Sequence, residues 1–381
     1  MIPYGRQSVD EEDIRAVVEV LRSDWLTTGP WVDRFEKVFA QTVGSRHAVA
    51  FSSGTAALHG AMSAAGIGPG DEVVVPPMTF AASANSIVYQ GGIPVFADVD
   101  SGTLLVDPGR AAEKIGPKTR AVIAVDYAGQ PCDYGTLRKI ASQEGLVLVA
   151  DACHALGATL DGRPSGSLAD MTVFSFHPVK HITTGEGGMV TTDNPDFADR
   201  MRRFRNHGIQ TDHRQREEDG QWFYEMTELG YNYRITDFQC AIGQSQLARL
   251  PAGIRRRQAI AARYNRALAG VRGIVPLNVR PGLTHAYHLY VIRIDSREAG
   301  IGRDRVFQAL RTAGIGVNVH YIPVHLHPFY RNRFGTSPGL CPVAEAAYGE
   351  ILSLPMFPAL TDGDVDRVVD VLATVVSSAR R

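Results

Sequence analysis

The sequence contains 381 residues, of which 44% are hydrophobic, and its formal net charge at pH 7 is -1. A chain of this length buries a large core, so we expect two domains or a large domain with a smaller lobe. The balanced charge provides no basic field for nucleic acid. No stretch approaches the roughly 20 apolar residues of a membrane span, and the N-terminus lacks a signal-peptide core. We therefore expect a cytoplasmic protein that binds neither nucleic acid nor membranes.

The first segments of the chain predict helices joined by a loop. Ser8 and Glu11 form a potential capping box ahead of the apolar-periodic run 14–21, which predicts a surface helix. The loop 25–30 contains Trp25 and ends in Gly-Pro. It is either a turn between helices or, through Trp25, one wall of a binding site, since turn chemistry alone explains the Gly-Pro pair.

A short apolar strand at 48–51 precedes a run of small residues, 52–57, that opens a helix. Free backbone N–H groups and the helix dipole point at the same spot in such a turn, which makes it a site for a phosphate. The candidates for holding that phosphate are Gly54, Thr55 and Ala56. Ordinary N-capping by Ser53 or Thr55 explains the same residues.

Further apolar runs alternate with helix-sized segments, which predicts a mainly parallel sheet covered by helices and an α/β fold class. The runs lie at 72–75, 94–97, 121–125, 146–150 and 171–176. Ligands of such sheets bind at the carboxyl ends of the strands. Phe80, Asp151 and Lys180 each follow one of these strands, so we expect them to share one site.

Asp151 and His154 follow the fourth of these strands. A buried carboxylate needs a cation, and the protonated nitrogen of a pyridine ring is one suitable partner. His154 could then cover such a ring. Alternatively, Asp151 caps the next helix and His154 is a satisfied core residue.

Lys180 lies between the last of these strands and the glycine pair at 187–188. An amine that attacks a carbonyl must be neutral for part of the time, which requires partial burial or a cationic neighbour. His177 and His181 flank it, and Ser175 precedes it by five positions. The segment predicts a reactive lysine, although a surface lysine in a loop explains it as well.

The second half of the chain begins with a loop that carries Asn232 and Arg234 and leads into a helix. The pattern changes near Leu250, so we predict a large domain over 1–250 and a smaller α+β domain over 251–381. Three histidines occur at 320–327 among prolines, without a nearby acidic residue. This arrangement is poorly suited to binding a metal ion. We therefore expect no metal, and the four cysteines, without a CxxC pair, predict neither a disulfide framework nor a zinc site.

Together these segments match the needs of pyridoxal 5'-phosphate (PLP). The turn at Gly54, with Ser175, would hold the phosphate, and Phe80 would stack on the ring. Asp151 would meet the ring nitrogen, and Lys180 would bind the aldehyde as a Schiff base. The cofactor supplies the electron sink, while the protein orients it.

The same segments resemble the sugar-nucleotide aminotransferases of the DegT/StrS group, which are fold-type I PLP enzymes. The matching stretches are 52–58, 151–155, 175–188, 230–234 and 321–325. The resemblance implies that Lys180 carries the cofactor and that the cofactor takes its pyridoxamine form during turnover. It also implies a homodimer in which Asn232 of one subunit reaches the cofactor phosphate of the other.

Within the group, the stretches 128–133, 176–181 and 222–233 resemble transaminases of pseudaminic acid synthesis. This resemblance implies amination of C4 of a UDP-linked 4-keto-6-deoxy-N-acetyl hexose, with glutamate as the donor. We expect Trp25, Tyr321 and His325 to line the sugar pocket. Arg234 would bind the donor carboxylate or the sugar's diphosphate, or form a structural ion pair. His327, where glutamine is expected, and the variable stretch 212–220 bear on which sugar is accepted.

Several alternatives remain open from the sequence. Another nucleotide-sugar 3- or 4-aminotransferase of the group fits the same motifs. A non-catalytic sugar-nucleotide-binding regulator would lack Asp151 or Lys180, and a related dehydratase would carry histidine in place of Lys180. A nicotinamide dehydrogenase is disfavoured because no strand is followed by GxGxxG.

Overall fold

The computed structural model describes residues 1–211, 214, 216 and 220–379. Most of the variable stretch 212–220 therefore lies outside the described residues. Thirteen α-helices are described: α1 Glu11–Leu21, α2 Pro30–Val43, α3 Gly54–Ala64, α4 Ala82–Tyr89, α5 Pro108–Ala112, α6 Tyr134–Glu144, α7 Pro195–Phe204, α8 Asp237–Leu268, α9 Ser296–Ala299, α10 Arg303–Thr312, α11 Pro328–Phe334, α12 Pro342–Glu350 and α13 Asp362–Ser378.

Thirteen strands accompany these helices in the described residues. They are β1 His47–Phe51, β2 Glu72–Val75, β3 Ile93–Phe96, β4 Thr119–Val125, β5 Val147–Asp151, β6 Thr159–Leu160, β7 Arg163–Pro164, β8 Met171–Ser175, β9 Gly188–Thr192, β10 Ile274–Pro276, β11 Leu283–Thr284, β12 Tyr290–Ile294 and β13 Ile351–Leu354.

A seven-stranded sheet with the order β1-β9-β8-β5-β4-β2-β3 forms the centre of the large domain. Neighbours from β8 to β3 run parallel, whereas β9 pairs antiparallel with both β1 and β8. The residues of β4 and β5 are almost entirely buried, as expected for a sheet covered on both faces. The α/β fold class is confirmed, and the six predicted strands of this sheet match to within two residues at each end.

The smaller lobe contains the antiparallel sheet β10-β12-β13. Its apolar cluster includes Ile292, Leu352 and Val365, and also Ile2 from the start of the chain. Ile2 N–H donates to the carbonyl of Gly314 (2.9 Å), and Gly316 N–H donates to the carbonyl of Ile2 (2.7 Å). Ile2 thus packs in the smaller lobe, whose other core residues all come from positions 260–376.

Helix α8 connects the two lobes and is 32 residues long. The predicted boundary at 250 falls inside it, because the helix continues through Pro251. Leu250 and Ile254 pack in a cluster of the large domain, whereas Ile260 and Tyr264 pack in the cluster of the smaller lobe. Apolar contacts on both sides of Pro251 keep the segment helical although proline removes one backbone hydrogen bond.

The predicted capping box at Ser8 and Glu11 is wrong by two residues. Asp10 is the N-cap of α1, and its carboxylate accepts from the N–H groups of Glu12 (3.0 Å) and Asp13 (3.1 Å). The buried carboxylate of Asp13 also accepts from Gln246 and Arg249 of α8. These tertiary contacts, which a local motif cannot show, fix where the helix begins.

An aromatic cluster supports the segment that follows β8. Phe35 and Phe39 of α2 pack against Phe174 and Phe176, with ring centroids 5.1 to 5.5 Å apart across the two elements. All four side chains are fully buried. This packing supports the end of β8 and the residue after it, shortly before Lys180.

In the described part of the chain, no helix combines the length and the apolar character that a membrane span requires.

Candidate active site

A cavity of about 520 Å³ lies at the carboxyl ends of the parallel strands. It collects most of the residues predicted from the sequence. Its lining includes Gly54, Thr55, Phe80, Asp151, His154, Ser175, Lys180 and Tyr321. The shared strand ends explain this convergence, because each residue ends or follows β1, β2, β5 or β8 or belongs to the loop that leads into α11.

Asp151 is the last residue of β5, and its side chain is buried. One carboxylate oxygen accepts from the hydroxyl of Ser83 (2.6 Å), and the other accepts from the N–H of Cys153 (3.2 Å). Among the described residues, no cationic group lies within 4.0 Å of this carboxylate. A buried carboxylate at the cavity wall without a cation fits the protonated ring nitrogen of PLP.

The turn between β1 and α3 offers donors for a phosphate. Ser53 is the N-cap of α3, and its hydroxyl accepts from the N–H of Ala56 (3.0 Å). The N–H groups of Gly54 and Thr55 donate to no acceptor within the described residues and belong to the positive end of the helix dipole. A Cβ at Gly54 would lie 2.9 Å from the Cβ of Ser175, so only glycine allows the helix to approach β8 this closely.

Ala56 does not line the cavity, and its N–H already satisfies the cap. The cap formed by Ser53 is therefore compatible with a phosphate at Gly54 and Thr55, because the two would use different N–H groups of the same helix end. We assign the phosphate to the N–H groups of Gly54 and Thr55 and the hydroxyl of Ser175 as a proposal.

Lys180 lies at the cavity wall and is partly buried. Burial lowers the pKa of its amine, while the nearby Cys153 and Asp151 raise it. The net effect is downward, so a larger fraction of Lys180 is neutral than for a free lysine. A partly neutral amine fits Schiff-base formation with an aldehyde.

The aromatic side of the cavity is formed by His154, Tyr321 and Phe80. His154 Nε2 and the hydroxyl of Tyr321 form a hydrogen bond of 3.1 Å, and their rings stack with centroids 6.1 Å apart. Burial, followed by the charge of Lys180, holds the pKa of His154 well below its usual range, so its imidazole is neutral. The ring of Phe80 is 61% exposed and lies at the mouth of the cavity.

Three further predicted residues, Trp25, Asn232 and Arg234, lie outside this cavity. Trp25 is half-buried in the loop between α1 and α2, and Asn232 is exposed on the loop before α8. Arg234 belongs to a different cavity, where it donates to Asn206 Oδ1 (2.8 Å). Within the chain itself, these three residues therefore do not meet Lys180.

The prediction for His325 is wrong. Its side chain is fully buried, and its Nε2 forms a hydrogen bond of 2.8 Å with the carboxylate of Glu345. The carbonyl of His325 also accepts from the hydroxyl of Thr336 (2.6 Å). The short 3₁₀ turn at Val324–Leu326 points the side chain away from the cavity that Tyr321 lines.

No group of three or more metal-binding side chains is found in the described part of the chain.

Sequence reasoning missed several residues that line the cavity, among them Tyr4, Ser83, His288 and His320. Ser83 bridges Asp151 to the hydroxyl of Thr79 (2.6 Å). Its position four residues after Thr79, on the first turn of α4, was a usable signal. Tyr4 and His288 carried none, because they reach the cavity only through the packing of the smaller lobe.

The fold and this cavity define a PLP-dependent enzyme of fold type I. A family model described as the DegT/DnrJ/EryC1/StrS aminotransferase family matches residues 7–373. The spore coat polysaccharide biosynthesis protein SpsC of Bacillus subtilis is 42% identical over 380 residues, which cover 99% of this chain and 98% of SpsC. The chain therefore belongs to the DegT/DnrJ/EryC1/StrS aminotransferase family.

Solved structures agree with this assignment. The putative sugar aminotransferase Spr1654 of Streptococcus pneumoniae, in its pyridoxamine phosphate form, superposes with a TM-score of 0.94 at 34% identity, covering 100% of both chains. PseC of Helicobacter pylori, an aminotransferase involved in the biosynthesis of pseudaminic acid, gives a TM-score of 0.92 at 30% identity over 99% of both chains. The protein is a PLP-dependent sugar aminotransferase.

The hydrogen bond from Ser83 to Asp151 leads to a first prediction. Ser83→Ala removes a charge-assisted bond that orients the carboxylate, so PLP should bind about 10- to 100-fold more weakly, the equivalent of roughly 1.5–3 kcal/mol. Titration of the apoprotein with PLP, followed by absorbance, measures the effect. Ser86→Ala is the matched control, because Ser86 is equally buried in α4 and donates only to the carbonyl of Ser83. Equal affinity in both variants would contradict the role of Ser83.

The burial of His325 leads to a second prediction. His325→Ala should lower the free energy of unfolding by roughly 2–4 kcal/mol, because it leaves a cavity and removes the partner of Glu345. The KM for the keto sugar should stay unchanged. Tyr321→Phe, in contrast, removes a hydroxyl at the cavity wall and should raise that KM. Urea unfolding and steady-state kinetics separate the two variants, and a raised KM in His325→Ala would restore the original assignment.

Proposed function

We propose that the enzyme transfers an amino group from glutamate to C4 of a UDP-linked 4-keto-6-deoxy-N-acetyl hexose, in nucleotide-sugar synthesis of the pseudaminic acid type. The main support is the cavity that combines Lys180 with the buried carboxylate of Asp151. The full-length similarity to PseC and the stretches 128–133, 176–181 and 222–233 support the choice of sugar.

The chemistry follows from the roles proposed for the residues of the cavity. Bound PLP supplies an electron sink for the carbanion that deprotonation of the donor creates. Asp151 keeps the ring nitrogen protonated, because a buried carboxylate stabilises the adjacent positive charge. Lys180 Nζ removes the proton from Cα of glutamate and, in the reverse direction, delivers a proton to C4 of the sugar. Its lowered pKa makes the neutral, basic form accessible.

Other residues position the substrates in this proposal. Tyr321, whose hydroxyl is fixed by His154, forms one wall of the sugar pocket. Asn232 and Trp25 lie away from Lys180 of their own chain, so we propose that they act at the cavity of a second subunit in a homodimer. Exposed Asn232 would then donate to the cofactor phosphate of its partner.

A second candidate function is amination of a different nucleotide-linked keto sugar, at C3 or C4. The similarity to SpsC favours it, since SpsC is 42% identical and its name refers to spore coat polysaccharide rather than to pseudaminic acid. Both candidates share the first half-reaction with the amino donor and differ only in the sugar accepted in the second.

The absorbance of the holoenzyme tests the proposal. A visible band from the Lys180-bound cofactor should fade when glutamate is added and return with UDP-linked 4-keto-6-deoxy-N-acetyl hexose. Lys180→Ala should lack this band and show no turnover, whereas Lys139→Ala, at an exposed site on α6, should behave as wild type. Return of the band only with a 3-keto sugar, or only with a sugar on another nucleotide, would favour the second candidate. No band in the wild-type protein would overturn both.

Mixing two inactive variants tests the shared site. Lys180→Ala and Asn232→Ala subunits, unfolded together and refolded, should regain about a quarter of wild-type activity. Half of the random dimers are mixed, and each mixed dimer contains one intact site of two. The control pair, Lys180→Ala with Asp151→Ala, should regain nothing, because both residues belong to the cavity of one chain. No recovery in the first pair would show that Asn232 does not act across subunits.

A further inference from the structure

Arg257 lies on α8, the helix that connects the two lobes, and it is only 2% exposed. Among the described residues, no carboxylate lies within 4.0 Å of its guanidinium. A buried cation without a counter-charge is costly, and burial lowers the pKa of Arg257 to about 10. A neutral side chain would fill the same space without this cost, so the charge is explained by the contacts that it makes.

The contacts of Arg257 are backbone carbonyls from two separate segments. Its Nη1 donates to the carbonyls of Tyr287 (3.0 Å) and Met356 (3.1 Å) and, over a longer distance, to that of His288 (3.4 Å). Tyr287 and His288 precede β12, and Met356 follows β13. One guanidinium thus joins α8 to the adjoining ends of these two paired strands.

Each of the two segments places one side chain in the catalytic cavity. His288 lines the cavity directly. The N–H of Met356 donates to the carbonyl of Tyr4 (3.0 Å), and Tyr4 lines the cavity as well. We call His288 and Tyr4 the smaller-lobe pair. Every residue proposed to hold the cofactor lies in the large domain, so this pair belongs to a different side of the cavity.

The turn at 285–289, which carries His288, is held in an unusual conformation. Tyr287 has a φ of +46°, which is uncommon for a residue with a Cβ atom and persists only where surrounding contacts maintain it. The N–H of Ala286 donates to the carbonyl of Gly129 (2.9 Å), and a Cβ at Gly129 would lie 2.9 Å from the nitrogen of Tyr287. Arg257 binds the turn from the opposite partner, α8, through the carbonyl of Tyr287 itself.

The same turn holds two imidazoles near Lys180. The ring centroid of His288 lies 4.4 Å from that of His154, and its buried Nδ1 finds no hydrogen-bond partner among the described residues. His181, the residue after Lys180, forms a hydrogen bond of 3.1 Å from Nε2 to the carbonyl of Ala286. Because a carbonyl only accepts, Nε2 of His181 carries the proton. A shift of the turn would therefore displace both imidazoles.

We propose that Arg257 is a positioning residue of the transfer reaction, which fixes one wall of the catalytic cavity by holding the segments that carry the smaller-lobe pair. Arg257 is not among the described residues that line the cavity, so it acts through His288 and Tyr4. The inference rests on the proposed function for one point, the use of glutamate as the amino donor.

Hydrogen exchange of the apoprotein, read by mass spectrometry, tests the positioning without cofactor. In Arg257→Met, the N–H groups of the turn 285–289 should exchange faster than in wild type by about tenfold or more, because the turn loses its bonds to α8. Arg256→Met is the matched control. Arg256 also lies on α8 and pairs with Asp362 (3.0 Å) of the smaller lobe, away from the turn. The turn should exchange in this control as it does in wild type.

Two measurements on the holoenzyme separate positioning from a general structural role. In Arg257→Met, the affinity for PLP should stay within about twofold of wild type, whereas fading of the cofactor band with glutamate should slow by about tenfold or more. His288→Ala should slow the same step. Adding Arg257→Met to His288→Ala should then cost less than about threefold, because substitutions that act through one residue are not additive. Arg256→Met should keep the wild-type rate.

Three results would overturn the proposal: wild-type exchange of the turn in Arg257→Met, full additivity with His288→Ala, or a loss of PLP affinity as large as the loss of rate. If Arg257→Met does not fold, Arg257→Lys decides, because its side chain is one bond shorter and cannot maintain all three contacts. Wild-type exchange and rate in Arg257→Lys would also refute the role. A wild-type band that does not fade with glutamate would refute the proposed donor instead, and the exchange comparison would still decide on Arg257.

Discussion

The structure depends on placing one carboxylate, Asp151, in the interior without a cation. Burying an ionised group is costly unless hydrogen bonds and an opposite charge compensate it. The chain supplies the hydrogen bonds, from Ser83 and from the N–H of Cys153, but no cationic group of the described residues lies within 4.0 Å of the carboxylate. The protonated ring nitrogen of PLP would compensate the carboxylate. Ser83, in the first turn of α4, orients the carboxylate from the protein side.

The groups around this carboxylate are kept neutral by the same burial. The pKa values of His154 and His288 are held well below the ordinary value by desolvation first and by Lys180 second. Neutral imidazoles add no positive charge to this part of the cavity wall, so His154 and His288 do not compete with a positively charged ring nitrogen for Asp151.

Much of this arrangement could be predicted from the sequence, because it depends on local patterns at strand ends. The apolar runs indicated the strands of the main sheet, and the residues after them, Asp151 and Lys180, meet in one cavity. The predictions that failed concern tertiary contacts. The start of α1 is fixed by contacts of Asp13 with α8, and His325 is turned toward Glu345 by a short 3₁₀ turn. Asn232 is exposed on the loop before α8 and does not line the cavity of its own chain.

The hydrogen bonds of Ile2 join the start of the chain to residues 314 and 316, a separation of more than 300 positions. Tyr4, two residues on, lines the cavity, and its carbonyl accepts from the N–H of Met356 (3.0 Å). Contacts of such long range close large loops, which costs conformational entropy. The cavity wall formed by Tyr4 therefore depends on the packing of residues that lie more than 300 positions away in the chain.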